Sequence, residues 1–238
     1  MDNAMRRVVA IDCFPESVES YRDGYALVAV DVIRATTTAV TGVALGRKCY
    51  PVPSLEAAVE LAGQLSNPLL VGELGGSVPF GFDLDNSPAE LTHRTDIDRP
   101  MILLSTSGTR LICAGDKSQP MYVACLRNYQ AVISRLGDRH QKVAVIGAGS
   151  RAQFREEDQL CCAWIAEGLL GLGYEPQDDR TADIISRWSG APLTEITRGA
   201  SADFLRRTNQ IKDLEFILTH VNDLDRIYRF EERQVIEE

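Results

Sequence analysis

Acidic, arginine and hydroxyl side chains come directly after an apolar run in the first part of the chain. Residues 27–30 are all apolar, and the polar residues that come after them are Asp31, Arg34, Thr36, Thr37 and Thr38. A carboxylate can hold a hard cation, and an arginine beside the start of a helix can bind an anion. These residue types predict a site that handles phosphate. An aspartate that caps a helix, with threonines that only pack, is the structural alternative.

A second apolar run, residues 69–72, leads into another carboxylate, Glu73. The glycine-containing loop after it carries Asp83, which has no helix start to cap, and we expect Asp83 to act together with Asp31. The sequence of residues 87–90, Ser-Pro-Ala-Glu, has the pattern of a capped helix start. Its glutamate is therefore expected to be structural.

Two further turns carry candidate anion-binding groups. Residues 105–110 read Ser-Thr-Ser-Gly-Thr-Arg, and we expect Ser107, Thr109 and Arg110 to contact an anion. Residues 147–152 read Gly-Ala-Gly-Ser-Arg-Ala, and they make Arg151 a further candidate. The glycines of this second turn match a dinucleotide fingerprint, but the strand with a terminal acid that the fingerprint requires further on is missing. A dinucleotide-dependent oxidoreductase stays open as an alternative.

Three acids come shortly after the second turn, at positions 156–158. They can satisfy the N-terminus of a helix, because its backbone N–H groups attract negative charge. They can equally complete a metal site, and Glu157 and Asp158 are our candidates for that role.

Alternating strands and helices are predicted to position these residues. The predicted strands are 25–31, 68–73, 101–106, 121–125 and 142–146, and the predicted helices are 35–45, 55–65, 108–114, 128–136 and 156–172. This alternation is typical of a layered αβα fold with a largely parallel sheet, in which the carboxyl ends of the strands bind ligands. We expect one domain, residues 1–238, that ends in a helical section of about 177–238.

Composition limits the choice of partners. The chain has 238 residues and a net charge of −9, which argues against nucleic acid and requires local cations for any anionic substrate. Its apolar runs are too short to span a membrane, and the first residues lack the features of a secretory signal. Six cysteines without C-x-x-C spacing and three scattered histidines indicate reduced thiols of a cytoplasmic protein rather than a zinc site. A homodimer is left open.

Several short segments together resemble the 2-phosphosulfolactate phosphatase family. The resemblance covers most of residues 28–172 and is carried by positions 31–38, 71–73, 81–83, 86–90, 108–109, 148–149, 154 and 157–158. It implies an α/β enzyme that uses Mg²⁺ to hydrolyse phosphosulfolactate to sulfolactate and phosphate, on a route towards coenzyme M. The chain departs from the family pattern at Leu74, Asp85, Ser107 and Gly147, where arginine, glycine, asparagine and cysteine are usual. A non-catalytic relative that only binds an anion is therefore a further alternative.

The resulting hypothesis is a Mg²⁺-dependent hydrolase for a small anionic phosphorylated hydroxy acid. The expected metal ligands are Asp31, Glu73, Asp83, Glu157 and Asp158, the expected catalytic residues are Asp31, Arg34 and Asp83, and the expected substrate-binding residues are Thr37, Thr38, Ser107, Thr109, Arg110 and Arg151. The sequence leaves open whether a carboxylate or water attacks phosphorus. The missing D-x-D pattern after the first strand favours water.

Overall fold

A computed structural model describes residues 6–115, 119–150 and 152–238 of the protein. Within these ranges the strands are β1 (Val8–Cys13), β2 (Ala26–Val30), β3 (Cys49–Val52), β4 (Leu69–Gly72), β5 (Met101–Leu104), β6 (Met121–Ala124), β7 (Lys142–Gly147), β8 (Glu175–Pro176), β9 (Tyr228–Glu231) and β10 (Gln234–Glu237). The helices are α1 (Ala35–Ala44), α2 (Leu55–Ala62), α3 (Pro88–Thr92), α4 (Gly108–Cys113), α5 (Tyr129–Arg139), α6 (Glu156–Gly171), α7 (Asp179–Trp188), α8 (Ala200–Arg207) and α9 (Ile211–Thr219).

All of these strands form one mixed sheet, in the order β4-β5-β3-β10-β9-β6-β2-β7-β1-β8. The strand pairs on both sides of the β9–β10 hairpin are parallel, and only the hairpin runs antiparallel to its neighbours. Helices cover both faces of the sheet. The predicted αβα class with a largely parallel sheet is confirmed.

Strand β2 lies inside the core and carries the apolar run of residues 27–30. Val28 and Val30 pack with α5 and α6, whereas Leu27 and Ala29 pack on the opposite face with α1 and α4. A parallel strand that is covered on both faces needs such an uninterrupted apolar sequence. The first polar residue after this run, Asp31, consequently stands at the carboxyl end of a buried strand.

The sheet curves around α1, which packs against β3, β5, β6 and β10. Four strands separate β5 from β2 in the sheet order. Even so, Gly108, at the start of the helix after β5, lies against Asp31, and a Cβ atom at position 108 would come within 2.0 Å of the Asp31 Oδ2. The hairpin separates two parallel groups of strands, β4-β5-β3 and β6-β2-β7-β1-β8. The contact between Gly108 and Asp31 shows that the carboxyl ends of the two groups meet.

The predicted elements between residues 25 and 172 are confirmed within a few residues at each end. Ser87 accepts a hydrogen bond from the backbone N–H of Glu90, as the predicted helix start requires. Strands β1, β3 and β8 were missed. The helical prediction for 177–238 is right for α7, α8 and α9 and wrong for the end of the chain, which forms the β9–β10 hairpin.

The missed hairpin has no recognisable turn sequence. Glu232 and Arg233 occupy its two turn positions with positive φ angles of 48° and 68°, where Asn-Gly would be the usual signal. Its strands are only four residues long and rich in charge. The hairpin forms because β3 and β6 offer free edges on both sides.

The cysteine prediction is confirmed: the six cysteines are free thiols, five of them buried and Cys113 partly buried. None of the helices in the described part of the chain is long and apolar enough to cross a membrane. The cytoplasmic location stays a prediction.

The hairpin generates a test of the fold. Val235 is buried in the core, whereas the neighbouring Ile236, on the other side of β10, is only partly buried. Val235→Asp buries an unpaired carboxylate and should lower the free energy of unfolding by about 3 kcal/mol or more. Urea unfolding should show a much smaller loss for the matched control Ile236→Asp. Equal losses for the two variants would contradict the described placement of β10.

Candidate active site

A cleft of about 440 Å³ opens at the carboxyl ends of the strands. Its acidic lining residues are Asp31, Glu73 and Asp158, and its arginines are Arg34, Arg155 and Arg207. The acids come from three different segments, after β2, after β4 and in the first turn of α6. The cleft thus places groups that can bind a cation beside groups that can bind an anion.

The backbone of Asp31 is held by a threonine five residues further along the chain. The Thr36 hydroxyl accepts a hydrogen bond from the Asp31 backbone N–H at 2.9 Å and donates one to the Asp31 carbonyl at 2.8 Å. Burial raises the pKa of the Asp31 carboxyl to about 7, and the nearby charges of Glu73 and Glu157 act in the same direction. A carboxyl with this pKa is half protonated near neutral pH unless a cation compensates its charge.

Asp158 connects two of the turns at the cleft. One of its carboxylate oxygens accepts the backbone N–H of Val32 at 2.9 Å, and the other accepts that of Gly149 at 3.3 Å. Its burial, together with the charges of Asp31 and Glu157, raises its pKa well above the ordinary value. Two buried carboxyls with raised pKa values therefore stand close to each other at the base of the cleft.

Glu73 is fixed by the neighbouring strand. Its carboxylate accepts hydrogen bonds from the Thr106 backbone N–H at 2.7 Å, the Thr106 hydroxyl at 2.9 Å and the Gly76 N–H at 2.8 Å. These bonds join the loop after β4 to the loop after β5. Glu73 therefore organises this side of the cleft as well as adding a negative charge to it.

Arg34 enters the cleft from the turn between β2 and α1, and the peptide bond that precedes it is cis. Its guanidinium forms ion pairs with Asp213 at 2.5 Å and with Asp85 at 3.3 Å. The side chain is only 5% exposed. Its charge is therefore already balanced by protein acids, and its free N–H groups remain available to a ligand.

Sequence reasoning missed several residues of the cleft. They are Asn86, Gln153, Arg155, Ser201, Phe204, Leu205 and Arg207. Two of them hold buried polar atoms without a hydrogen-bond partner, namely Asn86 Oδ1 and Arg155 Nε. The sequence held a signal for two of these residues. Asn86 stands in a segment that carries the family resemblance, and Arg155 comes soon after the glycine turn of residues 147–152. The cleft residues of α8 had no such signal.

Some predicted site residues do not reach the cleft. Asp83 is ion-paired with Arg99 at 2.9 Å and accepts the Leu70 N–H. Arg110 is half exposed and paired with Glu16. The structure therefore does not place Asp83 with the other acids or Arg110 with the other arginines, because each points to a partner on its own part of the surface.

The predicted threonine contacts are also corrected. Thr37 donates to the Val32 carbonyl, and Thr109 bonds to Ser105. The Thr38 hydroxyl is buried without a partner. None of these three threonines lines the cleft, and the hydroxyls of Thr37 and Thr109 bond within the turns that they help to close. Ser107 does line the cleft.

The two remaining candidates from the sequence are Glu157 and Arg151. Glu157 is buried behind the cleft wall, near Ser201 and Gly199, and its Oε2 has no hydrogen-bond partner. Burial raises its pKa. Arg151 lies outside the described residues.

The glycine turn that resembled a dinucleotide site has a packing role. Gly149 has φ +62°, and a Cβ atom there would lie 2.6 Å from the Phe14 ring and 2.8 Å from the Cys13 sulfur. Its N–H points to Asp158. The glycine is thus needed for close contact with the end of β1, a structural reason that does not involve a dinucleotide.

The chemistry of the acids fits a magnesium ion. Among the described residues no three carboxylate, histidine or cysteine side chains are grouped closely enough to hold a metal by themselves. Mg²⁺ needs no such cage, because it keeps several waters and binds through one or two carboxylates plus phosphate oxygens. Asp31 and Asp158 repel each other in a buried environment, and a divalent cation would relieve that repulsion.

Fold and cleft together define an α/β protein whose cleft, at the carboxyl ends of its strands, is lined by acids and arginines. Comparison with known sequences gives the family. The family model described as 2-phosphosulpholactate phosphatase matches residues 13–232, and the chain belongs to this family.

Curated relatives agree with this assignment. A protein from Carboxydothermus hydrogenoformans is 36% identical over 205 residues, 85% of each chain. One from Thermus thermophilus is 33% identical over 212 residues, 87% of each chain. One from Pseudothermotoga lettingae is 40% identical over 145 residues, which are 61% of this chain and 62% of the relative. All three are named probable 2-phosphosulfolactate phosphatase.

The raised pKa of Asp31 predicts a pH-dependent effect on stability. The folded protein keeps a proton on Asp31 up to about pH 7, whereas the unfolded chain loses it near 3.8. The free energy of unfolding therefore falls as pH rises between these values. In metal-free buffer, Asp31→Asn should be about 2–4 kcal/mol more stable than wild type near pH 8 and similar to it near pH 4. Urea unfolding at the two pH values checks this, and a difference independent of pH would contradict it.

Proposed function

We propose that this protein is a Mg²⁺-dependent phosphatase that hydrolyses 2-phosphosulfolactate to sulfolactate and phosphate. The family match and the names of the relatives support phosphatase activity. One observation about the structure carries the proposal: a single cleft joins three carboxylates that suit a divalent cation with three arginines that suit a polyanion. The family match favours this hydrolase over the dinucleotide-dependent oxidoreductase.

The buried acids of the cleft would hold the metal. Asp31 and Asp158 are the proposed ligands, and Glu73 faces them from the loop after β4. Bound magnesium would withdraw charge from the phosphoryl oxygens and help to activate water. Both oxygens of Asp158 already accept backbone N–H groups, which makes Asp158 a poor nucleophile. Because the D-x-D pattern is also missing at Asp31, after β2, water is the proposed nucleophile.

Different arginines of the cleft would bind different acidic groups of the substrate. Arg34, at the start of α1 beside the proposed metal ligands, would bind the phosphoryl group. Arg155, whose Nε is buried without a partner, would bind the carboxylate or the sulfonate, with Arg207 at the rim of the same cleft. A planar guanidinium suits such groups because it can donate two parallel hydrogen bonds. Arg155 and Arg207 are thus proposed for the role that the sequence had given to Arg110, whereas the prediction for Arg151 stays a prediction.

Chelation tests the metal dependence. Phosphate release from phosphosulfolactate should stop with EDTA and return with added Mg²⁺. Asp31→Asn should reduce kcat at least about 100-fold, since it removes a charge that the metal needs. The matched control is Asp83→Asn, which changes an aspartate outside the cleft and should keep kcat within about twofold. Full activity of the wild type in metal-free buffer would contradict the proposal. No turnover under any condition would favour the non-catalytic relative.

Substrate preference tests the role of Arg155. Arg155→Gln should lower kcat/KM for phosphosulfolactate at least about tenfold, because a charge-assisted bond contributes about 1.5–3 kcal/mol. Simple alkyl phosphates lack the second acid, so their kcat/KM should change much less. Arg110→Gln, which alters a surface arginine paired with Glu16, is the control and should change neither value. A loss of equal size for both substrates would remove Arg155 from substrate selection.

A further inference from the structure

Helix α9 carries an aspartate on its buried face. Asp213 is 2% exposed, and the buried Phe216 and Ile217 lie one turn further along the helix. An ionised carboxylate in such a position is costly unless it is paired and hydrogen-bonded. Asp213 does not itself line the cleft, so its burial calls for an explanation through its partners.

The two oxygens of Asp213 bind two different segments of the cleft wall. Oδ2 accepts a hydrogen bond from Arg34 at 2.5 Å. Oδ1 accepts the Ser87 hydroxyl at 2.7 Å and the Ala89 backbone N–H at 3.1 Å. The carboxylate therefore joins the turn after β2 to the start of α3. The residue directly before Ser87 is Asn86, which lines the cleft and has a buried Oδ1 without a partner.

Arg34 has an alternative acid close by. Arg34 and Asp31 line the same cleft and are three residues apart in the chain. A guanidinium released from Asp213, and held only by its longer bond to Asp85, would be free to turn towards Asp31 and neutralise a proposed metal ligand. Held by Asp213, it keeps three of its five N–H donors for a ligand, apart from the bonds to Asp213 and Asp85.

We propose that Asp213 is a positioning residue of the cleft. It holds the guanidinium of Arg34 towards the bound phosphoryl group and away from Asp31, and it fixes the segment that presents Asn86. This inference rests on the proposed function, since it takes the ligand of Arg34 to be a phosphoryl group. It also gives the C-terminal part of the chain a role in the site.

The substitution Asp213→Asn separates the two sets of contacts. The amide oxygen can still accept from Ser87 and Ala89, but the amide nitrogen would face the Arg34 N–H, a donor against a donor. The variant therefore loosens Arg34 and preserves the start of α3. Charge alone predicts the opposite result from positioning, because removal of a negative charge near an anion should tighten its binding.

The experiment is calorimetric titration of inorganic phosphate into the full-length protein in magnesium-containing buffer. Asp213→Asn should raise the Kd for phosphate at least about tenfold. The matched control is Asp223→Asn, which changes the carboxylate that pairs with the largely buried Arg127 and does not line the cleft. The control should lose stability without a change in phosphate affinity. Wild-type or tighter phosphate binding by Asp213→Asn would overturn the inference.

A double variant shows whether Asp213 acts through Arg34. Arg34→Lys keeps the charge but loses the planar fork, so adding Asp213→Asn to it should weaken phosphate binding no further than about twofold. Additive losses would overturn the inference. Failure of the wild-type chain to bind phosphate or to release it from substrate would instead overturn the proposed function, and this inference with it.

A milder pair of variants serves if Asp213→Asn does not fold. Ser87→Ala removes a helix cap that also contacts Asp213, whereas Ser54→Ala removes the cap of α2, which has no such contact. Both lose a similar capping interaction. Only Ser87→Ala should raise the phosphate Kd, by about threefold. Equal effects of the two variants would overturn the inference.

Discussion

Mutual repulsion of buried carboxylates is the constraint on which the site depends. Asp31 and Asp158 stand at the ends of central segments where burial raises both pKa values, and the described residues that line the cleft include no histidine or lysine. Two carboxyls that are buried close together are difficult to ionise at the same time, because neither charge is well solvated and the two charges repel each other. The divalent cation of the proposed function would offset this repulsion. The proposed hydrolysis of a polyanion by a protein of net charge −9 depends on the same physics.

The curvature of the sheet brings the charged side chains of the cleft together. Glu73 and Ser107 come after strands that are distant from β2 in the sheet order, and only a sheet bent around α1 lets Gly108 touch Asp31. The β9–β10 hairpin fills the gap between the two parallel groups of strands, so that neither has an exposed inner edge. Helix α8 then completes the wall of the cleft, and α9 packs against α8 behind it.

The site was predictable where function depends on the residues directly after a strand. Asp31, Arg34, Glu73 and Ser107 all line the cleft, since parallel strands deliver their carboxyl ends to one edge. The prediction failed at Asp83 and Arg110, whose side chains turn to the nearby partners Arg99 and Glu16. Spacing along a chain does not report which way a loop side chain turns. Thr37 and Thr109 do not line the cleft, since their hydroxyls bond within the turn itself.

By itself the sequence determined the αβα class, the order of the central elements and the family, because continuous apolar runs and helix caps are local signals. The residues that carry the resemblance to that family also lie in local segments. Only the tertiary structure decided the C-terminal hairpin, whose Glu232-Arg233 turn carries no sequence signal, and the pairing of Asp213 with Arg34 across 179 residues. Such contacts depend on how distant elements pack. The sequence can place an acid on the buried face of a helix, but it does not indicate which residue of another element that acid will contact.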